Sequence, residues 1–176
     1  MVKFGILSDT LITSKDGFDY IKQLIYQIAK AFKNVDEILH AGNILDFDFL
    51  NQLQEIAPVR CVKGSLDNIK DLPVFLKFSA GLYNIGLIHM KPENLEGFFK
   101  QNQLHILIYG HTRQALIENT PFNTMLINPG SPTKPIAPPP KKGFQKPMAK
   151  PSVITLEISE ENILSTYLIN LKNNLK

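Results

Sequence analysis

Three observations predict an α/β fold with a second, antiparallel sheet. Four short apolar runs each end in a Gly or Ser-Asp break, as strands covered on both faces do. A stretch of helical period separates the first two runs and shorter helical patterns follow, so strand and helix alternate through the first two thirds. Three hairpin-like segments then supply the antiparallel part.

The first strand is residues 3–7, KFGIL. In GFDYIKQLIYQIAKAFKN, the positions Phe18, Ile21, Leu24, Ile25, Ile28, Ala29 and Phe32 share one helical stripe. A second strand at 37–41, EILHA, leads to a helix over 46–55 and a third strand at 59–63, VRCVK. From residue 73 the texture changes: PVFLKFSA and GLYNIGLIH read as a hairpin turning near Ala80 and Gly81. A helix over 93–102 and the fourth apolar strand, HILIY at 105–109, come next.

The segments QALIENTPFNTMLINPG and SVITLEISEENILSTYLINL read as the second and third hairpins, the latter turning at Ser159 to Asn162. Between them, residues 129–151 hold eight of the twelve prolines and five lysines. No regular structure is assigned there, and a Pro/Lys-rich surface loop is expected at about 131–151. With no internal repeat, residues 1–176 are read as one domain.

At 176 residues, 44% apolar and 20% charged, the chain can bury a core without disulfides or a structural metal. Its net charge of +3 gathers at Lys134, Lys141, Lys142, Lys146 and Lys150, a bias too small to argue for nucleic acid. The one cysteine, Cys61, lies in an apolar run, where a buried structural thiol in a reducing cytoplasm is expected. No window approaches a membrane span, and the opening MVKFGILSDT lacks the length and cleavage site of a signal peptide. A cytoplasmic location is the expectation.

The polar breaks carry the chemistry. Ser8 and Asp9 follow the first strand, Gly42 and Asn43 the second, Gly64, Ser65 and Asp67 the third, Gly110 and His111 the fourth, and His89 ends IGLIH. Carboxyl ends of strands in an open α/β sheet line one crevice, so Asp9, Asn43, Ser65, His89 and His111 are expected to converge. Carboxylate, amide and imidazole donors of this kind suit Mn, Fe or Zn, and paired metals are a known device for phosphoryl hydrolysis.

The succession SDT, HAGN, KGSLDN, IGLIHM, YGHTR, INPGS resembles the small bacterial and archaeal phosphodiesterases of the calcineurin-like metallophosphoesterase superfamily, and the retromer subunit of the same fold. The resemblance covers roughly residues 2–169. It implies a four-layer α-β-β-α sandwich of two mixed sheets, with the site at one edge.

Carried across residue by residue, the resemblance implies a degenerate metal centre. The Asp-x-His motif keeps Asp9 but has Leu11. The metal-bridging aspartate is Asn43, and the asparagine of the Gly-Asn motif is Ser65. His89 is kept, though Met90 replaces the glycine after it, and Gly-His-x-His becomes Gly110, His111, Thr112, Arg113. Four of seven ligand positions are therefore replaced.

The first metal loses its ligands, and Arg113 is expected to fill the vacated cationic space and pair with Asp9. A second metal would see Asn43, Ser65, His89 and His111, none of them anionic, so one weakly held Mn, Zn or Fe ion, or none, is expected. His40 is expected to be a buried supporting group. The turn Asn128-Pro129-Gly130-Ser131 is implied to pack beneath the site loops.

Two functions follow. One is a metal-dependent phosphodiesterase of low or lost activity, with Asp9, His89, His111 and Arg113 as its working groups. The other is a non-catalytic scaffold that binds a protein or a small anion on the same fold.

Overall fold

The computed structural model describes residues 1–172. Its strands are β1 (Val2–Leu7), β2 (Glu37–His40), β3 (Val59–Cys61), β4 (Phe75–Ala80), β5 (Tyr83–Ile88), β6 (Ile106–Ile108), β7 (Ala115–Asn119), β8 (Met125–Pro129), β9 (Ser152–Ile158) and β10 (Leu164–Asn170). The helices are α1 (Phe18–Ala31), α2 (Phe47–Gln54) and α3 (Leu95–Asn102).

Helix α1 forms where the apolar stripe dictates, burying Leu24 and Ile28, with Asp19 in its first turn and Lys30 in its last, both favourable to the helix dipole. Helix α2 is capped by Asp46, whose carboxylate accepts from the Phe49 amide, and α3 by Asn94, which accepts from Gly97.

Two five-stranded sheets result, ordered β10-β9-β1-β2-β3 and β4-β5-β6-β8-β7. Ile6, Leu39, Val62, Ile85, Ile108, Ile127 and Ile154 fill the space between them. Leu24, Ile28 and Phe32 pack with Leu53, Ile38 and Cys61 on the outer face of the first sheet, and Phe99 with Leu107 and Leu126 on that of the second. The layers are α-β-β-α.

The hairpin reading needs one correction. The second sheet is mixed, because β5, β6 and β8 run parallel, and the β9-β10 hairpin belongs to the first sheet, antiparallel to β1. Helix α3 makes the crossover that a parallel β5-β6 pair requires. Parallel strands bring the ends of β1, β2 and β3 to the same edge of one sheet, and those of β5, β6 and β8 to one edge of the other.

Residues 130–151 contain neither helix nor strand. Cys61 is buried, and burial pushes its thiol up to about 12, with Asp67 adding to the shift. No helix among the described residues is long and apolar enough to cross a membrane.

Candidate functional site

Three of the strand exits share one backbone device. After β1, Asp9 and Leu11 have φ of 51° and 51°; after β2, Asn43 and Leu45 have 58° and 68°; after β6, His111 and Arg113 have 66° and 57°. Left-handed residues at alternate positions fold each exit back over the sheet edge, at a cost on the order of 1 kcal/mol for each non-glycine residue. The loops then pack so closely that a Cβ on Gly42 would stand 2.8 Å from both the Gly64 nitrogen and His89 Nδ1, and one on Gly110 would overlap Ser8 Oγ.

Asp9 lies at the centre, 1% exposed. Its Oδ1 accepts from Asn43 Nδ2 at 2.9 Å, and its Oδ2 from the His111 amide at 2.8 Å and Ser8 Oγ at 2.8 Å. The Leu66 amide donates to Asn43 Oδ1 at 2.9 Å. That amide only donates and a carboxylate only accepts, so the orientation of the Asn43 side chain is set from both ends. The backbone of Asp9 is held from below: Ser131 Oγ donates to its carbonyl at 2.7 Å, and Asn128 Nδ2 to that of Gly110 at 2.8 Å. The Asn128–Ser131 turn therefore sits under the site loops.

Asp67, part of the polar break after the third strand, does more than close a turn. Its carboxylate accepts from the amides of Asn43, Leu45 and Gly64, at 2.8, 2.8 and 2.7 Å, tying the exits of β2 and β3 together. The only signal was an aspartate three residues after a glycine, which any turn could carry.

His89 is 3% exposed. Its Nδ1 lies 2.7 Å from the Ala41 carbonyl, which can only accept, so Nδ1 carries the proton and Nε2 presents a lone pair. That Nε2 is the one buried side-chain nitrogen or oxygen among the described residues without a hydrogen-bond partner. The exposed ring of His111 stands edge-on to it, centroids 5.4 Å apart. Ser65 is exposed and lines, with Lys63, Val74, Ile88, His89 and Met90, a cleft of about 250 Å³.

Arg113 departs from expectation. No cation among the described residues lies within ion-pair reach of Asp9, and Arg113 lines a different cleft with Lys146 and Lys150. Asp9 accepts from three neutral donors, with Asn43 in the role foreseen for the arginine.

His40 is fully buried beneath the exits. The Gly42 amide donates to its Nδ1 at 3.1 Å, so Nε2 holds the proton and faces Thr10 Oγ1 at 3.2 Å. Burial lowers its pKa to about 4; Asp67 opposes the shift and His89 adds to it. The folded pKa lies below the ordinary 6.5, so the unfolded chain binds the extra proton as pH falls from 6.5 towards 4, and stability falls with it. This contributes about 3 kcal/mol of loss by pH 4. Urea midpoints at pH 7 and 4.5 should differ clearly less in His40→Gln than in the parent, and equal differences would refute the assignment.

The two-metal centre implied by the resemblance does not fit these donors. Among the described residues no three His, Cys, Asp or Glu side chains gather to hold a metal ion. Leu11 offers no donor, Asn43 has both ends of its amide engaged, and Asp9 has both oxygens occupied. Of the four positions expected to hold a second ion, Asn43 is engaged at both ends of its amide, Ser65 lines the same cleft as His89, and the His111 ring lies 5.4 Å from that of His89.

The sequence profile of the calcineurin-like phosphoesterase superfamily domain matches residues 2–161. The chain belongs to that superfamily. It is 31% identical over 167 residues to a probable metallophosphoesterase of Methanothermobacter thermautotrophicus, covering 90% of this chain and 87% of the relative. The fold is that of Vps29 from Entamoeba histolytica, solved as a zinc complex, with a TM-score of 0.73 at 21% identity over 98% of this chain and 94% of that one. An archaeal phosphodiesterase superposes with a TM-score of 0.66 at 19% identity, covering 96% and 100%. The two mixed sheets and the helices on their outer faces are thus the metallophosphoesterase fold.

Proposed function

We propose that this phosphoesterase hydrolyses phosphodiesters slowly, because its metal centre is reduced to one weakly occupied position between His89 and His111. The observation that carries this reading is His89 Nε2, a buried lone pair without a partner on a ring of fixed tautomer. A Mn, Zn or Fe ion held there would polarise a phosphate oxygen. The Ala41 carbonyl orients the His89 ring, and His111 supplies the second nitrogen. Val74, Ile88 and Met90 wall the cleft and suit the apolar part of an ester, with Lys63 at its rim for the anion. Asp9 serves by fixing the His111 amide.

The family and the relatives' names support the reaction class, and a single buried cysteine supports a reducing cytoplasm. A second reading, a binding module without catalysis, is favoured by Asp9 being satisfied within the protein. In that reading a protein partner would meet the exposed Leu66, Val74 and Met90.

Metal content and hydrolysis of bis-(p-nitrophenyl) phosphate with manganese test the choice. Substoichiometric metal and slow turnover, both lost in His89→Ala, are expected. Installing Leu11→His, Asn43→Asp, Ser65→Asn and Arg113→His together should raise the rate about a hundredfold, the effect of restored charge stabilisation. Absence of metal binding at millimolar manganese, with no gain in the fourfold variant, would leave the binding module.

A further inference from the structure

Arg113 makes no ion pair with Asp9. It lines a cleft of about 370 Å³ together with Lys146, Lys150, Pro138, Ser152 and Asn170. None of the residues lining that cleft is acidic, and none of its three cations makes an ion pair among the described residues. It shares no lining residue with the cleft at His89.

The roof is the Pro/Lys-rich segment, fastened at both ends. The Ile136 amide donates to the Arg113 carbonyl at 3.0 Å, the Lys134 amide to Ser131 Oγ at 2.9 Å, and the Ser152 amide to the Ser131 carbonyl at 3.2 Å. Prolines at 138, 139, 140, 147 and 151 restrict the backbone between those ties. Three like charges on residues lining one concavity repel each other, and an anion seated among them removes that repulsion.

We propose that this cleft binds a small ligand carrying a pyrophosphate-type group. Arginine offers a planar fork matched to two oxygens, and the two lysines add mobile point charges for a second phosphoryl group. The volume is near the lower end for small-molecule sites, which favours a compact ligand over an oligonucleotide lying across the surface. The site is independent of the metal chemistry at His89.

Isothermal titration of the full chain with inorganic pyrophosphate tests it. Binding should be tighter than for inorganic phosphate and should weaken as salt rises from about 50 to 200 mM. Arg113→Gln should weaken it about tenfold, as loss of a charge-assisted contact does, and His89→Ala should leave it unchanged. The double variant Lys146→Gln/Lys150→Gln lies on an exposed segment and keeps the test available if Arg113→Gln folds poorly.

Affinity lost in His89→Ala but kept in Arg113→Gln would overturn the proposal, because the anion would then sit in the other cleft. No pyrophosphate binding at low salt would also overturn it. So would binding to vesicles bearing phosphorylated headgroups that pyrophosphate fails to displace.

Discussion

Asn43→Asp is expected to destabilise the metal-free protein by about 3 kcal/mol at pH 8, with much of the loss recovered on adding manganese. In the native protein the Asn43 amide donates to the buried Asp9 carboxylate at 2.9 Å. An aspartate in its place sets two buried carboxyl groups against each other, and both cannot ionise at that separation without a cation between them. One must keep a proton, so its folded pKa rises above the unfolded value near 3.9. The folded state of the variant then holds more protons than its unfolded state, and its stability falls as pH rises through that window. The deficit should shrink towards pH 5. Chemical denaturation with EDTA or with manganese, at both pH values, reads all of this. A variant as stable as its parent in EDTA at pH 8 would show that the Asn43 contact does not substitute for a metal's charge.

Asp67→Ala should cost about 3 to 5 kcal/mol although Asp67 touches no candidate ligand atom. Its carboxylate collects three backbone amides from two strand exits, and truncation leaves those buried donors without acceptors. Asn43 and Gly64 would lose their relative placement, and with it the seat of Asp9. Asp67→Asn should recover part of the loss, because its one amide oxygen can still accept. Equal midpoints for Asp67→Ala and the parent would mean that water satisfies the amides.

Much of the fold was legible because it rests on local period. The stripe of α1, the apolar runs of β1, β2 and β6 and the turn at Gly81 all form where the pattern puts them. Sheet membership was less legible. Nothing local in the sequence of β9 and β10 says that they pair with β1 instead of β5; that choice is made by the exposed edge of a distant strand. At the site, motif order identified the loops, but not that Arg113 lines a cleft with Lys146 and Lys150 and makes no ion pair with Asp9, because the segment carrying those lysines is distant in sequence and has no regular structure. Asp67 escaped for the opposite reason: its partners are main-chain amides, which leave no trace in residue type.

The paired left-handed residues at 9 and 11, 43 and 45, and 111 and 113 bear on how such a protein can change. Three of them, at 11, 43 and 113, stand where the resemblance implies metal ligands of another type, and the main chain there has unfavourable torsions. The strain is maintained by the packing of one loop on another, so contacts within the chain set the shape of the cradle. Reactivity could accordingly be erased or reinstated by exchanging a few side chains, with no new path of the backbone to be found.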